Sequence, residues 1–100
     1  MKETEVTTME RYLPIEIKRG FFRTERINMV IDDAMIKLGE ESYPYEEVKR
    51  IMISGIKSLD FDIQLQSHFL FGRIDSKDLS SEVLSDLKVH LGDRLTIDLD

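Results

Sequence analysis

Residues 18–26, with the sequence KRGFFRTER, combine four basic side chains with two adjacent phenylalanines. Such a segment suits either a binding tip for a phosphate or an anionic lipid, or a turn whose aromatic rings fold back into the core. The usual burial of phenylalanine favours the second interpretation, with Phe21 and Phe22 divided between the core and its rim. Each basic group is worth about 1 kcal/mol near an anionic membrane, so lipid binding through this segment would be weak in a chain of net charge -6.

Acidic pairs form a second group of residues that could do chemistry. If the loops that carry them converge, their carboxylates could bind a hard cation such as Ca²⁺, which takes about six to eight oxygen ligands. Their spacing does not match an EF-hand loop, and a solvated acidic surface is the alternative interpretation. The candidate metal ligands are Asp32, Asp33, Glu40, Glu41, Glu46 and Glu47.

Catalysis has little support in the sequence. The chain has no cysteine, no nucleophile motif and only two histidines, His68 and His90, and each histidine has an ordinary structural explanation. The five glycines are isolated, so no phosphate-binding loop is present. We therefore predict that the protein is not an enzyme.

Length and composition set the domain organisation. One hundred residues with 41% hydrophobic content predict one α+β domain over residues 11–100, after a polar tail at residues 1–10 that we expect to be disordered. The absence of cysteine and of any apolar run near the roughly 20 residues of a membrane span predicts a cytoplasmic protein. Net charge -6 disfavours nucleic acid as a partner, and the scarcity of Asn and Gln is a feature of thermophilic proteins.

Strict alternation of apolar and polar side chains predicts half-buried strands. Asp32 and Asp33 would form a turn between two of these strands, and apolar groups on both sides of residues 67–75 suggest that this strand is covered on both faces. Apolar spacing predicts a helix over residues 80–92, capped by Ser80 or Asp78. The predicted strands are residues 12–19, 27–31, 34–38, 59–66, 67–75 and 94–100.

Sheet edges are a possible route to a partner. Pro14 cannot donate a hydrogen bond to a neighbouring strand, so the first strand should lie at an edge or begin at this residue. Lys18 would also protect such an edge. Another edge would then be free for strand addition. We accordingly expect a protein partner or self-association through a sheet edge.

Residues 43–58 decide between two folds. As a helix, they show apolar residues three and four apart, with Pro44 in the first turn, and the element order becomes a ferredoxin-like split βαβ with an extra N-terminal strand. The strand interpretation depends on the alternation of Ile51 and Ile53 and on the β-branched residues of this segment. The strand interpretation gives an antiparallel sheet, or partly open barrel, with one C-terminal helix packed on it.

Two stretches of the chain, MVIDDAMIKLGEESYPYEEVKRI and FLFGRIDSKDLSSEVLSDLKVHL, follow a recognisable pattern. The first resembles the middle of pleckstrin-homology-like (PH-like) domains of bacterial and archaeal type, and the second is similar to their last strand and capping helix. The resemblance implies the fold with one C-terminal helix, although a strand after Gly92 has no place in it. It also implies that the connection after the first strand carries the binding residues, which here are Lys18, Arg19, Phe21, Phe22, Arg23 and Arg26.

Together these observations predict a small non-catalytic binding module that acts through protein contacts. An acidic Ca²⁺-binding protein is the alternative, and weak binding of anionic lipid through residues 18–26 is a further one.

Overall fold

The computed structural model describes residues 10–99, and the predicted disordered tail lies outside them except for Glu10, which is exposed. The described chain forms eight strands, one α-helix and three short 3-10 turns. The strands are β1 (Arg11–Lys18), β2 (Thr24–Ile31), β3 (Met35–Leu38), β4 (Glu41–Pro44), β5 (Val48–Gly55), β6 (Ser58–Leu65), β7 (Phe69–Asp75) and β8 (Leu95–Leu99). The helix is α1 (Ser81–Leu91), and the 3-10 turns are Tyr45–Glu47, Ser76–Asp78 and Gly92–Arg94.

All eight strands belong to one sheet with the order β4-β3-β2-β1-β7-β6-β5-β8. Strands β1 to β7 pair antiparallel, whereas β8 runs parallel to β5. The sheet is therefore mixed: the predicted antiparallel pairing holds for β1 to β7 and is wrong at β8. A parallel neighbour needs a long crossover, which the helix between β7 and β8 supplies.

The sheet is curved but not closed. Strands β4 and β5 lie six positions apart in the strand order, a distance of about 29 Å across a flat sheet. The chain connects them through Tyr45–Glu47 alone, which can span only about 14 Å. The two ends of the sheet must therefore bend toward each other, as the prediction of a partly open barrel expected.

The concave face of the sheet holds the core. The inward positions of the predicted strands are buried there, and the alternation expected for β1, β2, β3 and β6 is confirmed. The helix adds Val83, Leu87 and Leu91 to the same core. Its start is fixed as predicted, because the Ser80 hydroxyl accepts a hydrogen bond from the backbone N–H of Val83 at 3.1 Å.

The helix considered for residues 43–58 is wrong, and with it the ferredoxin-like arrangement, because β5 occupies residues 48–55. A register shift between Val48 and Arg50 inserts one residue into the pairing of β5 with β6. Val48 and Ile51 therefore both face the core although they lie three apart, and Ile53 follows two residues later. A bulged strand imitates the spacing of a helix in this way.

The prediction that Pro14 marks an edge strand is also wrong, because β1 lies between β2 and β7. Its pairing with β7 covers only Glu16 and Ile17. Pro14 precedes these two residues and is paired with β2. The missing N–H of Pro14 therefore removes no hydrogen bond between β1 and β7. The edges of the described sheet are β4 and β8.

Candidate functional site

Large apolar side chains line the open, convex face of the sheet and its hairpin tip. Four of the five phenylalanines are exposed, and the fifth, Phe61, is buried in the core. At the hairpin tip, Phe21 is 95% and Phe22 100% exposed. On β7, Phe69 is 56% and Phe71 51% exposed, and Met52 on β5 is 38% exposed. We call this set the aromatic strip: Phe21, Phe22, Met52, Phe69 and Phe71.

Strand geometry places the sheet part of the aromatic strip. On β7 the buried positions are Leu70, Gly72 and Ile74, so Phe69 and Phe71 face outward. Their rings lie nearly parallel, 8° apart, with centroids separated by 6.1 Å. The prediction that this strand is covered on both faces is wrong, because Phe69 and Phe71 on its outer face are more than half exposed.

The tip of the β1–β2 hairpin carries the rest of the aromatic strip. The last pair of the two strands is Lys18 with Thr24, and the N–H of Arg19 donates to the carbonyl of Arg23 at 2.8 Å to close the tip. Phe21 and Phe22 lie beyond this closure, and both side chains are almost fully exposed. Contrary to expectation, neither ring enters the core.

The basic residues of the tip do not converge on one point. The Arg19 guanidinium lies 2.9 Å from Glu25 and 3.8 Å from Glu41, so two carboxylates neutralise it. Arg26 lies on β2 opposite Glu16, two pairs away from the tip. Of the predicted binding residues, Lys18 and Phe21 lie together with Phe71 around a shallow cavity of about 400 Å³.

A carboxylate lies within the sheet part of the aromatic strip. Asp62 on β6 pairs with Met52 on one side and with Phe71 on the other. It is half-buried, and a small cleft of about 130 Å³ is lined by Asp62, Met52, Phe69 and Phe71 together with Arg50 and Gln64. Burial raises the pKa of Asp62, and the negative charge of Asp60 raises it further.

The predicted metal ligands lie in three separate parts of the chain: the β2–β3 turn, the β3–β4 connection with the first residue of β4, and the 3-10 turn before β5. Oδ1 of Asp32 accepts hydrogen bonds from the N–H groups of Ala34 and Met35, both at 2.8 Å, so this carboxylate holds the β2–β3 turn. The turn at Asp32 confirms the predicted hairpin. Within residues 10–99, no group of three or more acidic, histidine or cysteine side chains could hold a metal ion. The structure therefore does not bring the six predicted metal ligands together as one site. They are Asp32, Asp33, Glu40, Glu41, Glu46 and Glu47.

Each histidine has a neighbouring side chain, although His90 is half-buried and His68 is exposed. The His90 ring stacks on Tyr45 with centroids 4.3 Å apart and planes 7° apart. His68 lies beside the hydroxyl of Ser67, with 2.8 Å between Oγ and Nδ1. These neighbours agree with the structural roles expected for the two residues.

Sequence reasoning missed Met52, Phe69 and Phe71 as candidate site residues, although the shared strand face of Asp60 and Asp62 had indicated a possible acidic strip. A signal for the two phenylalanines was present, because residues 69–75 carry apolar groups on both strand faces and one face had no identified cover. The position of Asp62 between Met52 and Phe71 depends on the pairing of three strands, which the sequence does not show.

Two comparisons with known proteins give no match. A scan against protein-family models finds no match, and a search of curated proteins finds no similar sequence. The resemblance to PH-like domains therefore stays a prediction. In the part of the chain that the structure describes, no helix has the length and apolar character needed to cross a membrane.

Proposed function

We propose that this protein is a non-catalytic binding module whose aromatic strip docks a protein partner. The observation that carries the proposal is the exposure of four of the five phenylalanines, all within the aromatic strip. Exposed aromatic side chains leave apolar area in water, and a contiguous apolar patch is the usual mark of an interaction surface. Phe and Met are also enriched at protein interfaces.

The sheet part of the strip suits a protein better than a bilayer. Asp60 and Asp62 lie on the same face as Phe71, and a carboxylate is expensive to place against hydrocarbon. A protein surface can instead offer hydrogen bonds and charges to these groups while it covers the aromatic rings.

The strand order supports a PH-like interpretation of the module. Seven antiparallel strands followed by one helix match what that resemblance implies, and β8 is an addition to it. In this interpretation the β1–β2 connection is a binding tip, and the exposure of Phe21 and Phe22 agrees with that role.

The proposal is tested by selecting binders and mapping where they bind. A random dodecapeptide library on phage would be selected on the full chain, and an enriched peptide would be titrated while backbone amide NMR shifts are followed. We expect the largest shifts at Met52, Asp62, Phe69 and Phe71. The double variant Phe69→Thr/Phe71→Thr should lose the peptide, whereas Val89→Ala, which removes an exposed apolar side chain from the helix, should keep it.

The result that would contradict the proposal is equally specific. If Phe69→Thr/Phe71→Thr binds the enriched peptide as tightly as the wild type does, the strip is not the docking surface. Failure of the library to give any enriched peptide on the wild type would also count against it.

The hairpin tip favours a second candidate function, contact with anionic lipid. Phe21 and Phe22 are almost fully exposed beside Lys18 and Arg23, a combination that allows shallow insertion next to headgroups. Vesicles of phosphatidylcholine with phosphatidylserine should then retain the wild type, but not a variant with reversed charges at Lys18, Arg19 and Arg23. Equal sedimentation of the two proteins would exclude this function.

A further inference from the structure

Asp62 is the central polar group of the sheet part of the aromatic strip. Its two cross-strand partners are Met52 and Phe71, so its carboxylate lies between apolar side chains. Within residues 10–99, no basic side chain lies within ion-pair distance of it and no hydrogen bond to it is formed. The carboxylate thus relies on water for its remaining solvation.

The basic groups that surround Asp62 are directed elsewhere. Arg73 on β7 lies 3.4 Å from Asp60, and Arg50 on β5 donates a hydrogen bond to the Thr96 hydroxyl at 3.3 Å. Lys18 on β1 borders the neighbouring cleft without reaching ion-pair distance. Asp60 and Asp62 therefore differ: among residues 10–99, a basic side chain lies within ion-pair distance of Asp60 and none lies within that distance of Asp62.

Docking on the strip changes the solvation of Asp62. A partner that covers Met52 and Phe71 must also remove water from the carboxylate that lies between them. An unpaired buried carboxylate is strongly unfavourable, whereas a cation with good geometry offsets the desolvation. A positive charge on the partner at this place offsets that cost and so favours tight docking.

We propose that the aromatic strip recognises a protein segment in which a Lys or Arg is flanked by apolar side chains, the cation pairing with Asp62 and the apolar groups packing on Met52, Phe69 and Phe71. This inference rests on the proposed function and adds the chemistry of its partner. The net charge of -6 acts in the same direction, because it attracts a basic segment and speeds its association.

The experiment compares selections of the same dodecapeptide library on the wild type, on Asp62→Asn and on Asp60→Asn. Peptides from the wild type should be enriched in Lys or Arg next to apolar residues, and this enrichment should persist on Asp60→Asn and disappear on Asp62→Asn. Replacing the central basic residue of one selected peptide by norleucine should weaken its binding to the wild type about tenfold and leave binding to Asp62→Asn almost unchanged.

Two results would overturn the inference while leaving the proposed function in place. One is equal or tighter binding of the selected peptide to Asp62→Asn, and the other is full retention of the norleucine peptide by the wild type. In both cases Phe69→Thr/Phe71→Thr would still abolish binding. If that double variant bound as the wild type does, the proposed function itself would fail, as it would if phosphatidylserine vesicles bound the wild type and no peptide were enriched.

Discussion

The rings of Phe69 and Phe71 lie nearly parallel on β7, and both are more than half exposed. Since neither ring fills the core, folding should not depend on them. We predict that Phe69→Thr and Phe71→Thr each change the free energy of unfolding by no more than about 0.5 kcal/mol, because threonine suits a strand and surface substitutions have small effects.

The matched control for these variants is Phe61→Ala, which removes a fully buried ring from the adjacent strand. We expect it to cost about 3–5 kcal/mol. Urea unfolding followed by circular dichroism measures all three variants. A large loss of stability in Phe69→Thr or Phe71→Thr would show that the aromatic strip serves the fold.

Arg94 joins the end of the helix to the start of β5. Its guanidinium donates to the carbonyls of Tyr45 at 2.9 Å, Val48 at 2.7 Å, His90 at 3.1 Å and Leu91 at 3.3 Å. Lysine offers a single ammonium in place of this planar fork, so Arg94→Lys should lower the free energy of unfolding by about 2 kcal/mol.

Arg50→Lys is the control for Arg94→Lys. Arg50 is exposed and makes one side-chain hydrogen bond, to Thr96, so the substitution should have an effect below about 0.5 kcal/mol. The urea concentration at the midpoint of unfolding, with an unchanged dependence of the unfolding free energy on urea, compares the two variants. Similar midpoints for both variants would contradict the structural role of Arg94.

Tyr45 should make the free energy of unfolding depend on pH in the alkaline range. Its hydroxyl donates to the carbonyl of Asp32 at 2.7 Å, and burial, aided by the negative charges of Asp32, Asp86 and Asp33, raises the pKa of Tyr45. The folded protein therefore keeps this proton above pH 10, where an unfolded tyrosine loses it. Stability from this group is complete below about pH 10 and should fall by up to about 1.4 kcal/mol per pH unit above it.

The variant Tyr45→Phe separates this effect from other titrations. At neutral pH it should be less stable than the wild type by about 1 kcal/mol, because the hydrogen bond to Asp32 is lost. At about pH 11 the deficit should shrink or reverse, because phenylalanine has no proton to lose. Urea unfolding at both pH values measures the difference, and an unchanged deficit would contradict the assigned pKa direction.

Local sequence patterns predicted the strands and the helix whose formation depends on residues close in the sequence. Alternation identified β1, β2, β3 and β6, and Ser80 marked the start of the helix. The bulge near Lys49 left residues 43–58 open between a helix and a strand, because one inserted residue breaks the period of two on which the strand prediction rests. β4 is only four residues long and has no fully buried position, so its pattern gave no signal.

Long-range relationships were beyond the sequence. Arg94 reaches carbonyls that lie 46 and 49 residues away, and nothing in its neighbours indicates them. The expectation for Phe21 and Phe22 failed because average burial of phenylalanine describes residues that have a core to enter. A hairpin tip beyond the last strand pair offers none.

Fluorine NMR tests the central claim most directly. The full chain would carry 4-fluorophenylalanine at all five phenylalanine positions, with each signal assigned by a Phe→Leu variant. On addition of a dodecapeptide selected on the wild type, we predict that the signals of Phe69 and Phe71 shift while that of buried Phe61 stays in place. Unshifted Phe69 and Phe71 signals in the peptide-saturated protein would contradict the claim that the aromatic strip is the docking surface.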